Sequence, residues 1–234
     1  MECPNLVVAS SRWDHDSLAQ VLAENGLKGD FERLTIPRLV TALTGDHPQP
    51  GRRLLTQSIY LRARAGVREV YLVNGNPDIG RAAREIGHVL PDGKRVRIIP
   101  IHADPPTEPK TKIICCCSDM RQPKPEGLGV LWSQARMISL PHFPSILLHD
   151  ARLLDHFLKD VAEKSGAVAE ISLVGHSCCS GYAGHHEEAA AEDLQHLSIR
   201  LSDTIQQQIG RPYHGAIRAW MAADQGLRMV HRHD

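Results

Sequence analysis

Short apolar runs recur along the chain, and stretches with helical spacing of apolar residues lie between them. In the first half, residues 6–9, 33–36, 69–73 and 95–102 read as strands. Residues 17–24 place Leu18, Val21 and Leu22 on one helical face, with Asp14 or Asp16 as the cap. Residues 52–65 are helical through Leu54, Leu55, Ile59 and Leu61 until Gly66 stops them, and 79–89 form another helix. The strand at 69–73 runs into Asn74-Gly75, a turn signal. Asp104-Pro105-Pro106-Thr107-Glu108-Pro109 suits neither a helix nor a central strand, because proline lacks the amide donor both need. It is read as a linker.

Beyond the linker the order returns. Residues 113–117, 137–140 and 171–174 read as strands, 153–164 and 187–209 as helices, and 216–221 with 227–230 as a terminal hairpin across 224–226. Strands alternating with helices predict an α/β fold, a mostly parallel sheet flanked by helices. The two passes can be overlaid. LVVASSRWD matches IICCCSDMR at an offset of 107, ERLTIPRL matches ARMISLPHF at 104, and the segment from Arg52 to Gly80 matches that from Ala151 to Gly181 at about 100. The landmarks fall in the same order, which predicts an internal duplication: a half at 1–104, a linker at 105–111 and a second half at 112–234.

Composition narrows the function. The 234 residues carry 27 basic and 27 acidic side chains, so the net charge is zero; 42% are hydrophobic. A coat for nucleic acid should be basic and a disordered tail poor in apolar residues, so neither class fits. No run approaches the ~18 apolar residues of a membrane span, and the N-terminal stretch does not read as a signal peptide. The expectation is a cytoplasmic protein with a small-molecule substrate and neither nucleic acid nor membrane as partner. Six cysteines are present, five of them in two clusters, Cys115 to Cys117 and Cys178-Cys179. In a reduced compartment such clusters point to metal binding or catalysis before disulfides. Cys3, Cys115 and Cys116 are read as small apolar residues.

Sites in open α/β sheets form at the carboxyl ends of strands, where both clusters lie. Two thiolates and an imidazole suit a tetrahedral zinc with a fourth position open for water or substrate. Sulfur with nitrogen favours zinc over magnesium or calcium. His176 and Cys179 are spaced for one side of a tight turn, and Cys117 comes from a neighbouring strand. Asp119 and Arg121 follow Cys117, and an Arg fork can hold a carboxylate ionised and oriented. Asp119 so held can accept a proton from zinc-bound water, or, released, take the fourth position itself.

With these residues in place the sequence resembles the β-class carbonic anhydrases, marked by Cys-x-Asp-x-Arg followed further along by His-x-x-Cys. Here Cys117-x-Asp119-x-Arg121 precedes His176-x-x-Cys179 by 59 residues, and the resemblance covers about 112–230. It implies that Cys117, His176 and Cys179 hold one zinc ion per chain and that Asp119 and Arg121 are the catalytic pair. The implied reaction is reversible hydration of CO2 to bicarbonate and a proton. His142, His149, His185 and His186 are candidate proton carriers. The longer Gly-Asp-x-Phe-x-x-Arg-Asn-Ala-Gly-Asn stretch of many members is replaced by Ser139-Leu140-Pro141-His142-Phe143-Pro144. The substrate pocket is accordingly assigned to Phe143, His142 and Tyr182, with Trp132 beside them.

The first half has Ser10, Arg12, Gly75 and Asp78 where the second has Cys117, Asp119, His176 and Cys179, so no metal is expected there. In the β class the partner subunit helps to wall the pocket. A degenerate fused copy would make the chain a pseudo-dimer, open to further homo-oligomerisation, with Arg12, Trp13, Tyr60, Asn74 and Asn76 expected near the pocket. Two other readings stay open: hydrolysis of carbonyl sulfide or carbon disulfide by the same zinc chemistry, and a non-catalytic zinc module in which Cys178 adds a fourth thiolate. A thiol redox role is weaker, since there is no Cys-x-x-Cys.

Overall fold

The computed structural model describes residues 5–27, 31–36, 50–64, 66–87, 96–107, 111–118, 135–177, 179, 181–182, 186–210, 213–223 and 226–233. The chain divides into two compact units, Met1–Thr107 and Glu108–Asp234, and the boundary falls within the proline-rich stretch. Among the described residues no helix is long and apolar enough to cross a membrane.

The first unit runs β1 (Asn5–Ala9), α1 (His15–Glu24), β2 (Glu32–Thr35), α2 (Pro50–Arg64), β3 (Glu69–Val73), α3 (Ile79–Gly87) and β4 (Arg97–Ile101). Its sheet has the order β2-β1-β3-β4 and is parallel throughout. Every residue of β1 is buried, as a central strand covered on both faces requires. Asp14 caps α1, its Oδ1 accepting the Ser17 amide at 2.8 Å, so the helix starts two residues before the apolar spacing suggests. Leu18 and Leu22 enter the core with Val7, Ala9, Tyr71, Val73 and Ile101, whereas Val21 is only partly buried. Trp13 is 2% exposed in this same core, its ring taken up by packing within its own unit.

The second unit runs β5 (Lys112–Cys117), β6 (Ala135–Leu140), α4 (Ser145–Leu148), α5 (Ala151–Ser165), β7 (Glu170–His176), α6 (His186–Ile209), β8 (Ala216–Ala223) and β9 (Gly226–His233). Its sheet order is β6-β5-β7-β8-β9, parallel except for the antiparallel β8–β9 hairpin. Two differences from the sequence reading matter. The strand expected at 171–174 continues to His176, because Gly175 and His176 still pair with Met221 and Ala222 of β8. The short helix α4, absent from the apolar pattern, precedes α5, whose own start is fixed by Asp150 accepting the Arg152 and Leu153 amides.

The two sheets share a register. Ala9 pairs with Thr35 and Val73, and Cys116 pairs with Ser139 and Val174. The differences are 116 − 9 = 107, 139 − 35 = 104 and 174 − 73 = 101, and Leu6 with Glu32 and Val70 maps onto Ile113 with Arg136 and Ile171 by the same three numbers. The fourth strand follows, Val73 pairing with Ile101 as Val174 pairs with Trp220.

The first unit also carries a titrating brace. The Tyr71 hydroxyl donates to Glu69 Oε2 at 2.6 Å, and Arg97 engages the same carboxylate. Burial, followed by the bond to Glu69, pushes the Tyr71 phenol from 10.0 up to about 12. The folded value is the higher one, so this stabilisation is complete below pH 10 and lost as pH rises through 10 to about 12. Urea midpoints measured across that window should fall, and Tyr71→Phe should flatten the decline; an unchanged slope would remove the brace from the account.

Candidate metal centre

Four backbone hydrogen bonds bring three distant donors together. Cys117 is the last residue of β5, and the next amide, Ser118 N–H, donates to Leu140 O at 2.9 Å, holding that strand end against β6. His176 is the last residue of β7, and the following Ser177 amide donates to Ala222 O at 3.0 Å. The chain then turns twice: Cys179 N–H donates to His176 O at 3.3 Å, and Tyr182 N–H donates to Cys179 O at 3.1 Å. Gly175 lets α6 close on this strand end, since a Cβ there would lie 2.9 Å from Leu194 Cδ1.

The result is a compact donor set. The Cys117 and Cys179 sulfurs are 3.9 Å apart, and the ligand atoms of Cys117, His176 and Cys179 all lie within 4.8 Å of one another. Their residues are 1%, 3% and 1% exposed. The sulfurs are too far apart for a disulfide, which needs ~2.05 Å. The hydrogen bond to Cys179 and burial push the Cys117 thiol well above the ordinary range, while His176 acts in the opposite direction. A cation among the three favours thiolate and so opposes both effects. Two sulfurs and an imidazole in this arrangement can hold a metal ion.

The other predicted residues are described only in part. Asp119, Arg121, Trp132, Cys178, His185 and the side chain of His186 lie outside the described residues, as does Cys3. Phe143 is completely buried, its ring 6.1 Å from that of Phe157 on α5. His142 has φ 54°, in the left-handed region, and its Cβ would lie 2.9 Å from a Cβ placed on Gly181. That side chain therefore borders the loop bearing Cys179. His149 is the exposed residue that follows α4, its Nδ1 2.9 Å from Ser145 O.

Tyr182 is 8% exposed, and its hydroxyl donates to Asp193 Oδ2 on α6 at 2.7 Å. Burial, then that bond, hold the phenol far above its ordinary range, so it is a protonated donor at neutral pH; the Cys179 sulfur adds to the same effect and the Ser145 backbone amide opposes it. Asp193 escaped the sequence reading, because nothing in its spacing marks a contact between α6 and a residue eleven positions earlier, ahead of that helix.

The corresponding positions of the first unit are built differently. Arg33 donates to the carbonyls of Ser10 and Trp13 at 3.0 and 2.9 Å, tying down the turn that follows β1. A Cβ on Gly75 would lie 1.6 Å from Asp104 Oδ1, so the volume of a side chain at the position matching His176 is already taken. Arg12 and Asn76 are exposed, Asn74 and Tyr60 half-buried, and Arg64 lies over the Tyr60 ring at 5.8 Å.

Comparison with family models, with curated proteins and with solved structures finds no match to this chain.

Proposed function

We propose that Cys117, His176 and Cys179 hold one zinc ion and that the chain hydrates CO2 reversibly, as its resemblance to the β-class carbonic anhydrases implies. The observation carrying the reading is the 3.9 Å sulfur–sulfur separation. Two Zn–S bonds of ~2.3 Å at a tetrahedral angle span roughly 3.8 Å, so the cysteines need almost no movement to bind. Three protein ligands leave the fourth position that a catalytic zinc requires. Bound there, zinc supplies hydroxide at neutral pH, since it brings the pKa of water from 15.7 to about 7. In this reading Asp119 takes up the proton and Arg121 holds its carboxylate in a bidentate grip. The shared strand order and registers of the two units support duplication, with a first copy that has exchanged its metal ligands for Ser10, Gly75 and Asp78.

The test is zinc content together with a stopped-flow pH-indicator assay. About one zinc per chain and measurable hydration are expected, with Asp119→Asn lowering kcat by about 10²–10⁴-fold at unchanged zinc content, the usual weight of a general base. Two zinc ions per chain would contradict a metal-free first unit. Zinc without hydration, and indifferent to Asp119→Asn, would indicate a structural centre; turnover of carbonyl sulfide alone would redirect the substrate.

A further inference from the structure

Three contacts converge on the segment that carries Cys179. Tyr182 closes the second of the two turns through its backbone amide, which binds Cys179 O at 3.1 Å. Its phenol then leaves the loop and donates to Asp193 Oδ2 at 2.7 Å, and the Ser145 backbone amide at the start of α4 donates to the same phenol oxygen. On α6, Asp193 is adjacent to Leu194, whose Cδ1 abuts Gly175, the residue before His176. One helix therefore touches the ligand segment just before His176 and again three residues after Cys179. The hydroxyl of Tyr182 is directed at Asp193, so it is committed to the protein rather than to a substrate.

We propose that Tyr182 and Asp193 form a clamp that holds Cys179 at metal-binding distance from Cys117 and His176, making Tyr182 a positioning residue; this rests on the metal-binding reading given above. Cys179 follows His176 by a single turn and has no strand of its own, whereas Cys117 and His176 are each fixed by a sheet. The ligand with least support from the sheet is the one the clamp secures. Partners that orient a ligand in this way typically change metal affinity by 10–100-fold when removed.

The test uses the full-length chain and titrates cobalt(II), then zinc, against a competing chelator, with the cobalt visible bands and the thiolate-to-cobalt charge-transfer band as readout. Tyr182→Phe should weaken binding about 10–100-fold and alter the visible spectrum, because the coordination geometry itself relaxes. Asp193→Ala should do the same, Asp193→Asn should stay within about threefold since its amide oxygen still accepts from the phenol, and the double variant should be no weaker than either single one. The Asp193 pair keeps the tyrosine ring in place and decides the matter if Tyr182→Phe does not fold. Binding within twofold of the parent and an unchanged spectrum in Tyr182→Phe, or in Asp193→Ala, would overturn the clamp. A parent chain that binds neither metal would overturn the metal centre itself, and the clamp with it.

Discussion

On the zinc reading proposed above, Cys117→Ser is expected to remove the metal from the chain and return CO2 hydration to its uncatalysed rate. Cys117 is 1% exposed at the end of β5, fixed on one side by the Ser118 bond to β6. Serine is shorter, and its hard, protonated hydroxyl is a poor partner for a soft metal. His176 and Cys179 would remain as two ligands on one turn, below the three needed for a catalytic centre. The consequence extends to stability. A metal that binds only the folded chain stabilises it by about 4.1 kcal/mol at 1,000 times its dissociation constant. The parent should therefore lose thermal stability on chelation, and Cys117→Ser should start from the chelated value and not move further. Cys116→Ser is the control one residue away: its sulfur faces Ser139 Oγ at 3.9 Å among Ile114, Met137 and Val174, off the donor set. It should retain zinc. Elemental analysis of both purified proteins decides, and stoichiometric zinc in Cys117→Ser would end the present ligand assignment.

The sequence was most informative where one physical pattern acts alone. Continuous apolar runs such as Leu6 to Ala9 and Ile113 to Cys117 must be covered on both faces, so they announced central strands, and all the strands of both sheets lie close to their expected places. The repeat offsets of 107 and 104 reappear unchanged as register differences between the sheets, because a shift of one residue would turn each strand inside out. The donor set was legible for a related reason: five of the six cysteines fall in two clusters, and both lie at strand ends, where an α/β sheet presents side chains. What escaped depends on tertiary contact. Gly175 and His176 are drawn into β7 by pairing with β8, against the turn character of Gly-His-Ser. Trp13, polar-flanked in sequence, is drawn into the core by α1. The Tyr182–Asp193 bond joins a loop to a helix and leaves no periodic trace.

Phe143 tests the boundary between these two kinds of information. Its place in the Leu-Pro-His-Phe-Pro segment suggested an aromatic pocket wall, yet it has no exposed surface and packs at a 54° tilt against Phe157 of α5. Phe143→Ala is therefore expected to act on stability. Removing a fully buried phenylalanine typically costs about 3–5 kcal/mol, a large share of the 5–15 kcal/mol that holds an ordinary domain together. Urea unfolding should show the second unit melting at much lower denaturant, with the slope retained, and Phe143→Leu should recover most of the loss because it refills the cavity. The metal centre should feel the change indirectly. Phe143 anchors the chain next to His142, whose left-handed backbone brings its side chain against Gly181, two residues from Cys179. The fraction of Phe143→Ala that remains folded at low temperature should thus bind zinc but bind it more weakly. Were Phe143 a pocket wall instead, the same substitution would leave unfolding within about 1 kcal/mol of the parent and raise KM for CO2, since a surface residue away from the core rarely costs more. The two outcomes differ in which measurement moves, so one protein preparation separates a residue that builds the site's foundation from one that meets the substrate.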